Sequence, residues 1–327
     1  MIDARSEGLV AAEAIGVQTI LGAGGAIGNE LMRALAGHTA RVRLVRRQPT
    51  SPGAHAEVRT ADLLDAGQVA EVLEGSDVAY LVAGVTYRAA AWEAEWPAIM
   101  RNVIGACEQQ GVRLVFLDNV YLYGAVEGAM TEHTPVNPCS RKGDVRARTA
   151  RMFMEAVDAG RLRGLIARSA SFYGPGATNT FVHPMVFERL RDRERAVWLC
   201  NDEAPHSMVY APDAARALAL LGNTAQAYGQ VWHLPSHPDA PTGRQFIEMV
   251  AEAFGVSPRY RVLGSRALRL AGWFNGDARE SLEMLYQYAQ PYRFDSGKFV
   301  RRFFPPTPYQ DAIGETAQCM ARWGKPS

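Results

Sequence analysis

From Val17 onward the chain alternates short, continuous apolar runs with helix-length amphipathic stretches: VQTIL, IGNELMRALA, RVRLV, AEVRTADL, AGQVAEVLEG and VAYLVAG follow one another. Runs of this kind suit strands buried on both faces, and their alternation with helices predicts βαβ units around a parallel sheet. A helix from about Trp92 to Gln110 leads into RLVFLDN, and a second from about Asp144 to Ala159 leads into GLIARSA. Past Gly174 the rhythm changes. GPGATN reads as a loop, Phe181–Leu190 as a helix and Ala196–Leu199 as a short strand, after which Pro212–Leu221 reads as helical and VWHLP as extended. Helices punctuated by Pro and Gly fill the C-terminal part. The expected architecture is α/β: a doubly wound parallel sheet formed by residues 1–175 and 208–236, with a smaller, mostly C-terminal region from 176–207 and 237–327.

Composition narrows the class without changing this picture. A chain of 327 residues, 48% of them hydrophobic, suffices for one large core and a smaller appended one. A formal charge of +1 offers no pull toward nucleic acid, so a small-molecule partner is expected. Cys107, Cys139, Cys200 and Cys319 lie far apart and form no CxxC pair, which signals neither a zinc site nor a disulfide framework. No apolar run approaches the roughly 20 residues that span a bilayer, and the opening MIDARSEGLVAAEAIG lacks a cationic start followed by an apolar stretch. A cytoplasmic location without membrane contact is expected, the opening stretch being either a short helix or a lead-in.

The strongest chemical signal is VQTILGAGGAIGNELMRAL, which places Gly22, Gly25 and Gly28 between a strand and a helix. A backbone without Cβ can approach a pyrophosphate there, and the helix N-terminus, with Ala26 and Ile27 in its first turn, faces the charge. Strand before and amphipathic helix after make this a Rossmann-type dinucleotide turn; Gly24 is read as relaxing it. Where an NAD site would carry an acid after the second strand, this sequence has Arg46 and Arg47. Arginine can clamp a 2′-phosphate that an acid would repel, so NADP is expected, with NAD as the alternative. Asp62 is read either as an acceptor for the adenine amino group or as the cap of the next helix.

These residues, and others spread from about Val17 to Trp323, resemble the extended short-chain dehydrogenase/reductase superfamily, and within it the NAD-dependent epimerase/dehydratase family. The resemblance is carried by the glycine turn, Asp62-Leu63, the VAG ending in Ala83 and Gly84, Asn102, Tyr123-Gly124, the segment from Arg168 through Tyr173 to Pro175, HSMVYAPDAARAL with Asp213, and FDSGKF. It implies that Leu63, Ala83, Gly84 and Asn102 join the cofactor site. It also implies an oxidoreductase or epimerase acting on a carbonyl or secondary alcohol of a small polar molecule, a nucleotide sugar being the family's usual substrate. Tyr173 and His206 are the substrate-side candidates, and a homodimer is compatible with the family.

Family members usually carry a Ser or Thr and a Tyr-x-x-x-Lys that exchange a proton as hydride moves. Counting from Tyr123-Gly124 places Asn119, Lys142 and Arg146 at those positions. Asparagine hydrogen-bonds but lends no hydroxyl proton, and arginine does not readily deprotonate. The usual relay is missing. Lys142, with Arg146 nearby, or Tyr121 is then the candidate for proton exchange, and a strand continuing past Asn119 would place Asn119, Tyr121 and Tyr123 on one face. A chain that kept the pocket and lost the relay would be a non-catalytic NADP-binding sensor or scaffold.

His233 and His237 flank Pro235, which prevents a helix aiming both at one metal; they are read as loop residues and no metal is expected. There is no GxSxG elbow, and Ser169 and Ser171 have no recognisable partner, which disfavours serine hydrolase chemistry.

Overall fold

The apolar runs pair side by side along the chain. A computed structural model describes residues 15–48, 56–265, 267–268 and 276–323. Its strands are β1 (Ile15–Leu21), β2 (Thr39–Arg46), β3 (Ala56–Thr60), β4 (Ser76–Leu81), β5 (Arg113–Asn119), β6 (Ala129–Met130), β7 (Gly164–Ser169), β8 (Ser171–Tyr173), β9 (Ala196–Leu199), β10 (Met208–Tyr210), β11 (Val231–His233), β12 (Tyr260–Leu263) and β13 (Arg293–Phe294). Seven of them form one parallel sheet in the order β3-β2-β1-β4-β5-β7-β11. The order reverses between β1 and β4, the switch point at which doubly wound sheets open a crevice beyond their C-terminal ends. Most of the opening stretch, residues 1–14, lies outside the described residues.

The helices that cover the sheet follow from their apolar spacing. In α1 (Ala26–Leu35) Ile27, Leu31 and Leu35 recur every fourth residue and are buried. Helix α2 (Ala66–Leu73) starts at Asp65, whose carboxylate accepts from the Gln68 N–H, so Asp62 is not its cap. Helix α3 (Ala89–Gln110) ends at Gly111 with φ of 68°, and α4 (Arg141–Asp158) begins at Ser140, whose hydroxyl accepts from the Gly143 N–H. Among the described residues no helix is long and apolar enough to cross a membrane.

A second core holds Tyr173, Val186, Phe187, Trp198, Phe246, Ile247, Tyr309 and Ile313. Its local structure departs from expectation at Phe181–Leu190, where a π-helical turn (His183–Phe187) precedes a four-residue α5 (Glu188–Arg191). Further on come α6 (Ala211–Gly222), which returns to pack on α1, and α7 (Gly243–Ala253).

Strand register is what assembles the site. Leu21 stands beside Val45 and Leu81, so Gly22, Arg46 and Val82 emerge together, and Asn119 stands beside Ser169.

Candidate active site

Beyond these strand ends lies a cleft of about 1360 Å³. At one end it is lined by Gly22, Gly24, Gly25, Arg46, Arg47, Asp62, Leu63, Ala83 and Gly84. Gly22 has φ of +96°, and a Cβ there would overlap the Ala83 backbone, so the turn itself demands glycine. Gly24 has φ of +117°, so it too occupies a conformation that glycine adopts most readily. Gly25 differs: its φ is −79°, and a Cβ would meet nothing within 4 Å. It caps α1 with no side chain on the first amides and no acid in the first turn, leaving an N-terminus aimed at open space and suited to a phosphate.

The other expected cofactor residues separate by role. Gly28 lies away from the cleft lining, where a Cβ would come within 3.0 Å of the Ala23 Cα; its contribution is close packing of helix on strand. Ile27 is buried in the main core, so only its backbone is placed for a ligand, and Ala26 is half-buried behind Gly25. Asn102 is also absent from the lining, its Nδ2 donating to the Leu63 carbonyl at 3.0 Å and so holding the loop that does line the cleft. Asp62 accepts from the Leu64 N–H at 3.0 Å in the same loop.

The middle of the cleft contains Asn119, Tyr121, Ser169 and Ser171. Strand β5 stops at Asn119, and Tyr121–Tyr123 forms a 3-10 turn. The expected shared face is therefore lost: Asn119 and Tyr121 line the cleft, while Tyr123 is buried, its hydroxyl 2.9 Å from His233 Nε2 and 2.8 Å from an Arg168 donor. Asn119 Oδ1 accepts from the Tyr121 N–H at 3.0 Å, so its amide donors are what it offers a ligand. Tyr121 stacks on Trp92 with centroids 5.9 Å apart, and its hydroxyl lies 3.5 Å from that of Tyr87. Burial pushes the Tyr121 phenol above the usual tyrosine range, opposed by the charge of Arg146, so it stays protonated at neutral pH.

Lys142 and Arg146, the residues at the family's Tyr and Lys positions, lie away from the cleft lining. Lys142 is fully buried, and its ammonium donates to the Glu280 carbonyl at 2.8 Å, Glu280 Oε2 at 3.0 Å and Glu283 Oε1 at 2.8 Å. Three acceptors engage its three protons. Arg146 donates to Asp118 Oδ1 at 2.6 Å and lies over the Trp96 ring at 4.2 Å; Arg168 reaches the other Asp118 oxygen at 3.4 Å. This buried Arg–Asp–Arg cluster braces the end of β5 from behind.

Both substrate-side candidates sit behind the wall. Tyr173 is buried, stacked on Tyr309 and packed against Tyr210 and Phe246. His206 is buried and stacks on Tyr288 and Tyr292, each centroid 4.6 Å away, while Ser171 Oγ approaches its Nε2 at 3.4 Å; Ser171 thus has a partner that its sequence neighbourhood does not reveal. Burial pushes the His206 imidazole down to about 4. His233 is a strand residue of β11, not a loop residue; it stacks on Phe294 with centroids 4.1 Å apart, its Nδ1 lying 2.7 Å from the Asp295 carbonyl oxygen.

The substrate end is formed largely by residues that no motif singled out: Tyr87, Trp92, Phe172, Phe181, Pro184, Leu199, Met284, Leu285, Tyr288 and Tyr292. The aromatic-rich run YQYAQPYRF, which carries Tyr288 and Tyr292, is a trace of this end visible in the sequence. Among the described lining residues the only cations are Arg46 and Arg47, and the only acids are Asp62 and Glu95.

A Rossmann-type sheet with an open glycine turn at its switch point defines a dinucleotide-dependent class. The sequence profile of the NAD dependent epimerase/dehydratase family matches residues 19–233, and the chain belongs to that family. The ceramide reductase of Caulobacter vibrioides is 27% identical over 270 residues, covering 80% of this chain and 78% of its own. Among solved structures, the chain is similar to the dTDP-glucose 4,6-dehydratase of Streptomyces venezuelae with NAD bound (TM-score 0.77, 18% identity, 95% of this chain and 98% of that one). It is also similar to the UDP-glucuronic acid 4-epimerase of Bacillus cereus in complex with UDP-glucuronic acid and NAD (TM-score 0.76, 15% identity, 94% of this chain and 100% of that one). At these identities the structural likeness is one of fold.

Proposed function

We propose that this protein is an NADP-linked oxidoreductase that reduces a carbonyl, or oxidises the corresponding secondary alcohol, on a substrate whose bulk is apolar. Gly22, Gly25 and the first amides of α1 would hold the pyrophosphate, and Arg46 and Arg47 the 2′-phosphate. The dinucleotide supplies the hydride. Asn119 presents its amide donors toward the substrate oxygen, and Tyr121, protonated at neutral pH, donates the proton as hydride reduces the carbonyl and takes it back in the reverse direction.

The observation that carries the substrate class is the lining: aromatic and aliphatic side chains interspersed with uncharged polar ones such as Thr178, Asn179, Thr180 and Gln287, with no described cation other than the arginine pair at the end of β2. A nucleotide sugar brings a diphosphate, and enclosing two negative charges without a cation is costly. An apolar substrate meets no such penalty, and the similarity to a ceramide reductase supports the same reading. It departs from the family's usual nucleotide sugar. The competing reading, a sensor that binds NADP without turnover, draws on the displacement of Lys142 and Arg146 from the cleft.

The test incubates the purified protein with NADPH and two substrate sets, ketones bearing long alkyl chains and UDP- or dTDP-sugars, and follows absorbance of the reduced nicotinamide. Turnover is expected with the ketones, with Tyr121→Phe lowering kcat on the order of a hundredfold. NADPH should bind roughly tenfold to a hundredfold more tightly than NADH, the scale of one charge-assisted phosphate contact. Turnover of the nucleotide sugars alone overturns the substrate class, and tight NADPH binding without any turnover favours the sensor.

A further inference from the structure

We propose that Lys142 is a positioning residue: with Glu280 and Glu283 it locks the strip carrying much of the apolar wall onto the N-termini of α3 and α4, and so sets affinity for substrate. The inference rests on the reading of the cleft as a substrate site.

Two carboxylates three positions apart converge on one buried ammonium, and each makes a second contact of its own. Glu280 Oε2 accepts from the Ala89 N–H at 2.7 Å, and Glu283 Oε2 accepts from the Arg141 N–H at 2.8 Å. Ala89 and Arg141 are the first residues of α3 and α4, and Arg88 gives α3 no side-chain cap of its own. Glu280 therefore caps a helix 191 positions away in sequence. Two anions against one cation leave a negative charge over, and the two helix N-termini are placed to receive it.

The ammonium is covered on another side by the Tyr87 ring, 4.6 Å from Nζ. Tyr87 faces the cleft, and so do Met284, Leu285, Tyr288 and Tyr292, which follow the two glutamates. Without Lys142, Glu280 and Glu283 would keep only their helix N-termini and repel one another, and this wall would loosen while β5 and the glycine turn stayed in place. The position that the family resemblance assigns to proton exchange has here become a structural fastening.

Hydrogen exchange followed by mass spectrometry on the full chain tests this, comparing peptides from 276–292 with peptides from 113–119. In Lys142→Met the first set should exchange roughly tenfold faster and the second be unchanged, with Lys142→Arg intermediate. NADPH affinity should be retained, and KM for the ketone should rise about tenfold while kcat stays within about threefold. If Lys142→Met does not fold, the triple variant Lys142→Met/Glu280→Gln/Glu283→Gln, which leaves no unpaired charge, carries the same expectation. Unchanged exchange in 276–292, or a rise that spreads equally into 113–119, overturns the fastening. A kcat loss beyond about a hundredfold with KM unchanged places Lys142 at the reacting atoms instead. The exchange measurement needs no substrate, so it decides the fastening even if no carbonyl is turned over.

Discussion

At the scale of single residues, the glycine turn separates two demands that look alike in sequence. Gly22 is required by the chain, because its φ is positive and the Ala83 backbone fills the place of a side chain. Gly25 is required by nothing in the protein, since its backbone suits any residue and the space before it is open. Gly25→Val is therefore expected to fold with an unfolding midpoint close to the parent's and to lose dinucleotide binding. Gly22→Val should instead fail to reach a stable fold. Calorimetry showing unchanged cofactor affinity in a folded Gly25→Val protein would remove the pyrophosphate from this turn. Tyr121 and Asn119 belong to the same scale: both were visible as candidates, and the structure lines the cleft with both.

Among elements, the end of β5 matters most. Asp118 and Asn119 are neighbours with opposite assignments: the first points behind the strand to Arg146 and Arg168, the second toward the cleft. Buried charges of this kind are costly to unpair, and removing one partner typically loses about 3–5 kcal/mol. Arg146→Met should lower stability by that order in urea unfolding, because it also gives up the guanidinium over Trp96, while cofactor affinity of the folded fraction stays close to the parent's. A variant as stable as the parent would show that Arg146 is not the brace. Placing Arg146 at the family's Lys position, beside Lys142, followed from counting along the sequence, and such spacing does not say which neighbours a helix meets.

Taken as a whole, the molecule packs two buried histidines against its C-terminal region, His233 from the sheet and His206 from the segment before β10. His206 stacks on Tyr288 and Tyr292, and His233 on Phe294. Burial lowers both from the usual 6.5, His206 to about 4 and His233 to about 3. In that window the unfolded chain binds protons that the folded chain refuses. Their contribution is thus fully present above about pH 6.5 and is lost as pH falls, His206 down to about 4 and His233 down to about 3, at up to about 1.4 kcal/mol per pH unit for each. Urea midpoints should fall steadily from pH 7 to pH 5, and His206→Phe should make the decline shallower. A pH-independent midpoint across that range would mean that neither ring is held neutral by the fold.

Much of this was legible along the chain, because periodicity and turn chemistry are local. The seven strands of the main sheet, the helices α1, α3 and α4, the Rossmann class, the glycine turn and the arginine pair at the end of β2 are all written within short windows, since each depends on how a residue meets its own element and solvent. What the tertiary structure decided concerns partners far apart in sequence. The carboxylates of Glu280 and Glu283 reach Lys142 across about 140 residues, Asp118 gathers Arg146 and Arg168, and Tyr288 and Tyr292 build a wall that no motif announces. A buried charge takes its role from whichever opposite charge the fold brings to it, and a pocket takes its polarity from every chain segment that lines it. Neither is a property of any one segment, so Lys142 could be placed at the family's tyrosine position from sequence, but only its buried surroundings made it a fastening.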